Sequence, residues 1–215
     1  MVGTPDRVTR LVRSCWHHRG YVPVTIGVIA GLSWLFLASG ITDADVTFSL
    51  TTALNPLWYV QSMVIHDDWA HFYGNMELLV PFGLVLTWLT SNRHVLGVVL
   101  GAQFAAAVLS FAVRFGPGVG SSLAVFAVVA AALVKAVGDG FQRASAESLQ
   151  TMLLTLVGPL ALGLFLVAVI AGGHTRVDHF GHFFAFLFGG AIETMFVLAE
   201  HGKETERSVP DRIVH

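Results

Sequence analysis

Long apolar stretches separated by short polar clusters recur six times along the chain. Each approaches the ~20 residues that a helix needs to cross a bilayer. The pattern predicts spans at about 21–41, 69–90, 95–115, 121–137, 149–172 and 179–198. The fold class expected is an all-α polytopic membrane bundle. Residues 1–20 form a basic arm, 21–199 the membrane domain and 200–215 a charged tail, expected to be disordered. Small residues at Ala105–Ala107, Ala130–Ala132 and Gly189–Gly190 predict close helix approach, and Pro159 is expected to bend the fifth span. The segment 42–68 is the one loop of unusual length, with Asn55-Pro56, Trp58 and Tyr59. Trp and Tyr favour the membrane interface, so this loop is expected partly in the outer leaflet; the alternative is an ordinary surface loop.

Composition strengthens the membrane reading. The 215 residues are 54% hydrophobic and 12% charged, with a mean hydropathy of +0.70, whereas soluble domains carry about 25% charged residues. Lys and Arg gather on the cytoplasmic side of membrane proteins. With the N-terminus inside, ten of the 12 basic residues fall on inner segments and only Arg114 and Arg176 on outer ones. The expected topology is therefore N-in and C-in, in a multi-pass protein of the cell membrane. The arm resembles a signal-peptide n-region, but the apolar run after it is too long for an h-region, so it is expected to stay as an anchor. No basic patch with interleaved aromatics points to nucleic acid. The single cysteine, Cys15, excludes an intramolecular disulfide framework and a Cys-based zinc site.

Against this apolar background a few polar residues stand out, because a polar group in hydrocarbon is costly unless partnered. His71 and Asn75 are four apart, on one helix face at the outer end of the second span. They can donate to one oxygen, or simply bond neighbouring helices together. Ser122 follows Gly118-Val119-Gly120-Ser121 at the opening of the fourth span. A helix start exposes free N–H groups, so a serine there can either cap the helix or stand beside an oxyanion donor. His182, in Asp178-His179-Phe180-Gly181-His182, is an interface residue or a base near the start of the sixth span. The topology puts all three elements at one membrane depth. A hydroxyl, an imidazole and spare donors are the parts of nucleophilic acyl transfer.

In these motifs the chain resembles the rhomboid family of intramembrane serine proteases, over about residues 55–190. His71-Phe72-Tyr73-Gly74-Asn75 is similar to the family's His-x-x-x-Asn, Gly120-Ser121-Ser122 to its Gly-x-Ser, and Gly181-His182 with Ala185 and Gly189 to the sixth-helix stretch. The resemblance implies a six-helix rhomboid-like bundle, no cofactor or metal, and transmembrane proteins as substrates, cut near the outer face. It implies Ser122 as nucleophile and His182 as general base in a Ser–His dyad, with His71, Asn75 and the Ser122 N–H stabilising the oxyanion. Gly120, two before Ser122, and Phe126, four after it, match positions of the family pattern, Phe126 as the aromatic against the histidine. If Ser121 attacked, Val119 and Val125 would stand there, so Ser122 is the expected nucleophile. Four departures are visible: Leu123 is bulky where the family is small, Ala185 replaces a usual glycine, Phe126 lacks a hydroxyl, and the first external loop lacks the Trp-Arg pair of some relatives. Leu123 is expected to crowd the site or narrow substrate choice. The alternative function is a catalytically inactive rhomboid-like protein that binds membrane clients.

The remaining polar residues suggest weaker roles. Glu77 lies on the face opposite Asn75 and is a candidate partner for Arg114; Lys135 is expected to snorkel to the cytoplasmic surface. His66, Asp67 and Asp68 with His174 and His179 suggest an outer metal site, but no HExxH occurs. A proton-relay transporter needs polar residues along a full path, whereas the cytoplasmic halves of the second, fourth and sixth spans read as almost wholly apolar.

Overall fold

The computed structural model describes residues 22–42, 52, 55–114, 122–140 and 179–208. These form α1 (Val24–Ala38), α2 (Pro56–Ser62), α3 (Trp69–Leu89), α4 (Asn92–Arg114), α5 (Ser122–Gly140) and α6 (His179–Ser208). Four of these helices are long and apolar enough to cross a membrane, and α1 is a shorter apolar helix of 15 residues. Large apolar side chains such as Trp34, Leu78, Phe104 and Phe196 are exposed, as expected where the solvent is lipid. The chain is thus a multi-pass helical membrane protein. The expected fifth span, with Pro159, and the arm 1–20 lie outside the described residues.

Local chemistry sets the helix ends. Asn55 accepts a hydrogen bond from the Leu57 N–H and Pro56 opens α2; proline lacks the N–H that a first turn would leave unpaired. Asp68 accepts from the His71 N–H at 2.8 Å and so caps α3. Ser91 caps α4 through the His94 N–H. At the end of α1, Gly40 adopts φ 76°, and the Ile41 N–H reaches back to the Phe36 carbonyl. This closes the helix in a conformation that glycine takes without strain.

The helix α5 is central: 67% of Ser122–Asp139 is buried, against 33% of Trp69–Leu89. Its inward residues are mainly Ala and Val, from Ala124 to Val134. Small side chains let α3, α4 and α6 pack against it. Contact is closest at Gly189 of α6, where an added Cβ would lie 2.6 Å from the Ala127 Cα. The pairs Ser122–His182, Ala127–Gly189 and Lys135–Glu200 show that α5 and α6 run parallel. His94, at the start of α4, meets Glu193 far along α6, so α4 runs opposite to them. The two-residue turn Thr90-Ser91 makes α3 antiparallel to α4 and therefore parallel to α5 and α6. Asn92 in the first turn of α4 also holds the start of α1: Thr25 N–H donates to its Oδ1 at 3.1 Å, and its Nδ2 donates to the Val22 carbonyl at 2.7 Å.

Residues 55–66 count against the alternative of an ordinary surface loop, since Trp58 and Tyr59 point into a cluster with Ala106, Ala107, Leu123 and Ala185, while Met63, Val64 and Ile65 join the main core. Three expectations change. The tail expected to be disordered from residue 200 is helical as far as Ser208, beyond an apolar span that ends near Gly202, because Glu200, Lys203, Glu204 and Arg207 are good helix formers. Thirty residues make about 45 Å of helix, longer than the ~30 Å hydrocarbon layer. Lys135 does not snorkel: it is buried and its ammonium meets Asp139 at 3.1 Å and Glu200 at 2.5 Å. The far half of the sixth span is not wholly apolar either, for Glu193 is fully buried there. One charge barely alters an averaged hydropathy, and only packing gives it the His94 partner.

Candidate active site

The helices α3, α5 and α6 begin at the same end of the bundle and bring their polar residues there. Ser122 is the first residue of α5 and is 7% exposed. The first N–H groups of a helix have no partner within it, so this start presents donors beside the hydroxyl. His182 occupies the first turn of α6, and its Nε2 lies 2.6 Å from the Ser122 Oγ. With Nε2 unprotonated the hydroxyl donates to it, the arrangement a general base requires.

Phe126, one turn along α5 from Ser122, stacks on the His182 ring with centroids 4.6 Å apart and planes 18° from parallel. Stacking leaves the imidazole little freedom to rotate away from the serine. Phe126 and Phe184 also pack on the cluster that contains Leu123. Leu123 is therefore buried inside that cluster, where Ala106, Ala107 and Ala185 make room for its bulk; the expected crowding is absorbed by small neighbours.

Asn75 lies on the buried face of α3 with Phe72 and Leu79, one turn below His71. That face follows the helical spacing 72, 75, 79, 83 and 86, and α3 packs against α5. Glu77 is on the exposed side of α3, as its two-residue offset from Asn75 predicts. The side chain of Arg114, its expected partner, lies outside the described residues, as do Gly120, Ser121, His174 and the side chain of His179.

The structure adds His66, buried just before α3. Its ring meets His71 edge-on at 5.3 Å and Phe72 at 5.4 Å. Asp68, set beside it in the sequence as a metal candidate, instead caps α3. The signal for the cap was an Asp before the first apolar turn; burial of His66 had no local signal. Desolvation first, and His71 second, push the His66 imidazole from 6.5 down to about 4, opposed by a hydrogen bond with the Val64 backbone. A folded-state value below the unfolded one means that the unfolded chain binds more protons between the two. This stability is complete above pH 6.5 and is lost as pH falls toward about 4. The melting temperature in detergent is expected to drop across that window, and less steeply in His66→Gln. Parallel pH profiles for the two proteins would refute the assignment.

Comparison with known proteins follows the same lines. A family model described as the Rhomboid domain matches residues 54–199. Searches of the curated proteins and of the solved structures give no match. The matched region runs from just before α2 through the membrane-spanning part of α6 and includes Ser122, His182, His71 and Asn75. The chain belongs to the rhomboid family of intramembrane proteases.

Proposed function

We propose that this protein is an intramembrane serine endopeptidase that cleaves transmembrane protein substrates near the outer face of the cell membrane. The observation that carries the reading is the 2.6 Å contact between Ser122 Oγ and His182 Nε2. Proton transfer from the hydroxyl to His182 accompanies attack of Oγ on the scissile carbonyl. His182 then gives that proton to the leaving amine, and water attacks the acyl-enzyme with His182 again as base. The negative oxygen of each tetrahedral intermediate is stabilised by the Ser122 N–H, His71 and Asn75. Burial strengthens these interactions, because hydrogen bonds to a developing charge are worth more in a low dielectric.

The topology that accompanies this reading is N-in and C-in, from the ten-to-two distribution of Lys and Arg. It puts the starts of α3, α5 and α6 at the outer face.

Labelling of the purified chain by a fluorophosphonate probe tests the function directly, since only an activated serine takes up the probe. Labelling together with cleavage of a reporter transmembrane segment is the expected result. A folded protein that neither labels nor cleaves would instead be a client-binding member of the family.

The oxyanion role has its own test. His71→Ala and Asn75→Ala are each expected to slow cleavage by up to about 10²-fold, the Ser122 N–H and a replacement water retaining part of the stabilisation. Their melting temperatures in detergent should stay near wild type. Lowered melting with unchanged turnover per folded molecule would make the two residues helix-bonding groups only.

A further inference from the structure

Leu123, the residue after the candidate nucleophile, takes no part in the proposed reaction, yet its surroundings are closely built. It is 2% exposed and lies in one cluster with Trp58 and Tyr59 of α2, Ala106 and Ala107 of α4, and Ala185 of α6. Four helices thus meet around one leucine. The alanines leave the space that its side chain fills. The Trp58 and Tyr59 rings, edge-on with centroids 5.1 Å apart, form the remaining wall. That wall is itself held. Gln103 of α4, fully buried, donates from Nε2 to the Ser62 Oγ at 3.0 Å. Ser62 in turn donates to the Tyr59 carbonyl at 3.1 Å. The Tyr59 ring also meets Phe104 of α4, with centroids 4.9 Å apart. Both polar bonds and ring packing therefore tie α2 to α4.

Both members of the dyad stand on this cluster. Ser122 directly precedes Leu123 and opens α5. The first N–H groups of a helix have no partner within it, and helix ends open at the lowest cost in free energy. A side chain buried in the first turn supplies the hold that the backbone lacks there. On α6, Ala185 lies about one turn beyond His182. Phe126, which stacks on the His182 ring, packs on the same cluster. Side chains in a close-packed interior have little room to shift, so a filled cluster fixes the serine and the imidazole together.

We propose that Leu123 is a positioning residue: its buried side chain anchors the first turn of α5 and the Phe126 ring, and so holds Ser122 Oγ against His182 Nε2. The proposal rests on the protease reading above. Leu123 is enclosed by protein side chains, so its bulk acts on the alignment of the dyad, hence on kcat, and not on the choice of substrate.

The test compares Leu123→Ala with Leu86→Ala in the full chain in detergent, with a reporter transmembrane substrate and a fluorophosphonate probe. Leu86 is also buried, but near the end of α3 remote from His71. Both truncations leave a cavity and should lower the melting temperature. Leu123→Ala should in addition lose about tenfold or more in kcat and in labelling rate, with KM nearly constant. Leu86→Ala should keep wild-type values of both per folded molecule. Leu123→Met, which refills the space with a flexible apolar side chain, should recover most of the kcat. If Leu123→Ala fails to fold, Leu123→Val decides by the same split of kcat from KM. Unchanged kcat and labelling in the folded variant overturn the proposal, as does an equal loss in Leu86→Ala. A raised KM or a changed residue preference at the cleavage point, with labelling unchanged, overturns it too and makes Leu123 part of the substrate pocket. A wild-type protein that neither turns over nor labels overturns the protease reading, and the positioning role with it.

Discussion

Replacing Ser122 by alanine should abolish cleavage of a transmembrane substrate, by about 10⁴-fold or more, and with it all fluorophosphonate labelling. In the proposed reaction the acyl-enzyme forms on this hydroxyl, which lies 2.6 Å from His182 Nε2. His182→Ala should be equally inactive, since nucleophile and base act as a unit and their losses do not add. Ser121→Ala should retain much of the wild-type rate, because Gly120 and Phe126 are spaced for Ser122, and Phe126 indeed stacks on His182. Ser122→Ala should melt near wild type, as it removes a single oxygen atom. Labelling that survives in Ser122→Ala and disappears in Ser121→Ala would reverse the assignment.

A methyl group added at Gly189 should also slow cleavage, by about 10²-fold, far from any reacting atom. Its Cβ would lie 2.6 Å from the Cα and 2.7 Å from the carbonyl carbon of Ala127, where carbon atoms normally stay about 3.5–4.0 Å apart. The obstacle is backbone in the middle of α5, which cannot swing aside as a side chain could. The helix α6 must therefore move off α5 by about 1 Å, a misplacement that can cost about 10²-fold in rate. Overpacking should also destabilise the protein by about 1–3 kcal/mol. Gly189→Ala is expected to fold, melt lower and cleave about 10²-fold more slowly, with probe labelling slowed in parallel. Gly97→Ala on α4 is the control: a Cβ there meets nothing within 4 Å, and alanine suits a helix interior better than glycine. Equal turnover for the two variants would show that the α5–α6 seat does not control the dyad.

Much of this was legible along the chain because the bilayer imposes simple rules. The apolar runs at 69–90 and 95–115 became α3 and α4 within a few residues, since a spanning segment must satisfy its backbone internally. The four-residue spacing of His71 and Asn75 put both toward one side of α3, with Asn75 buried and Glu77 outside. Gly120-x-Ser122 and Gly181-His182 marked two helix starts, which the fold brings within one hydrogen bond. What hydropathy misread were residues whose setting is made by remote segments. Lys135 read as a snorkelling lysine because nothing near it in sequence reveals Glu200, which is 65 positions away.

The sequence by itself therefore determined the membrane class, the approximate limits of the spans it shares with the structure and the identity of the candidate dyad. These depend on composition and on neighbours within one or two helical turns. Tertiary structure alone decided that Trp58 and Tyr59 turn inward, that Leu123 is accommodated by Ala106, Ala107 and Ala185, that Gly189 is a seat for α5, and that Glu193 finds His94 across 99 positions. Each depends on which helices pack together and at what depth, because burial, close approach and charge pairing arise only where remote segments meet.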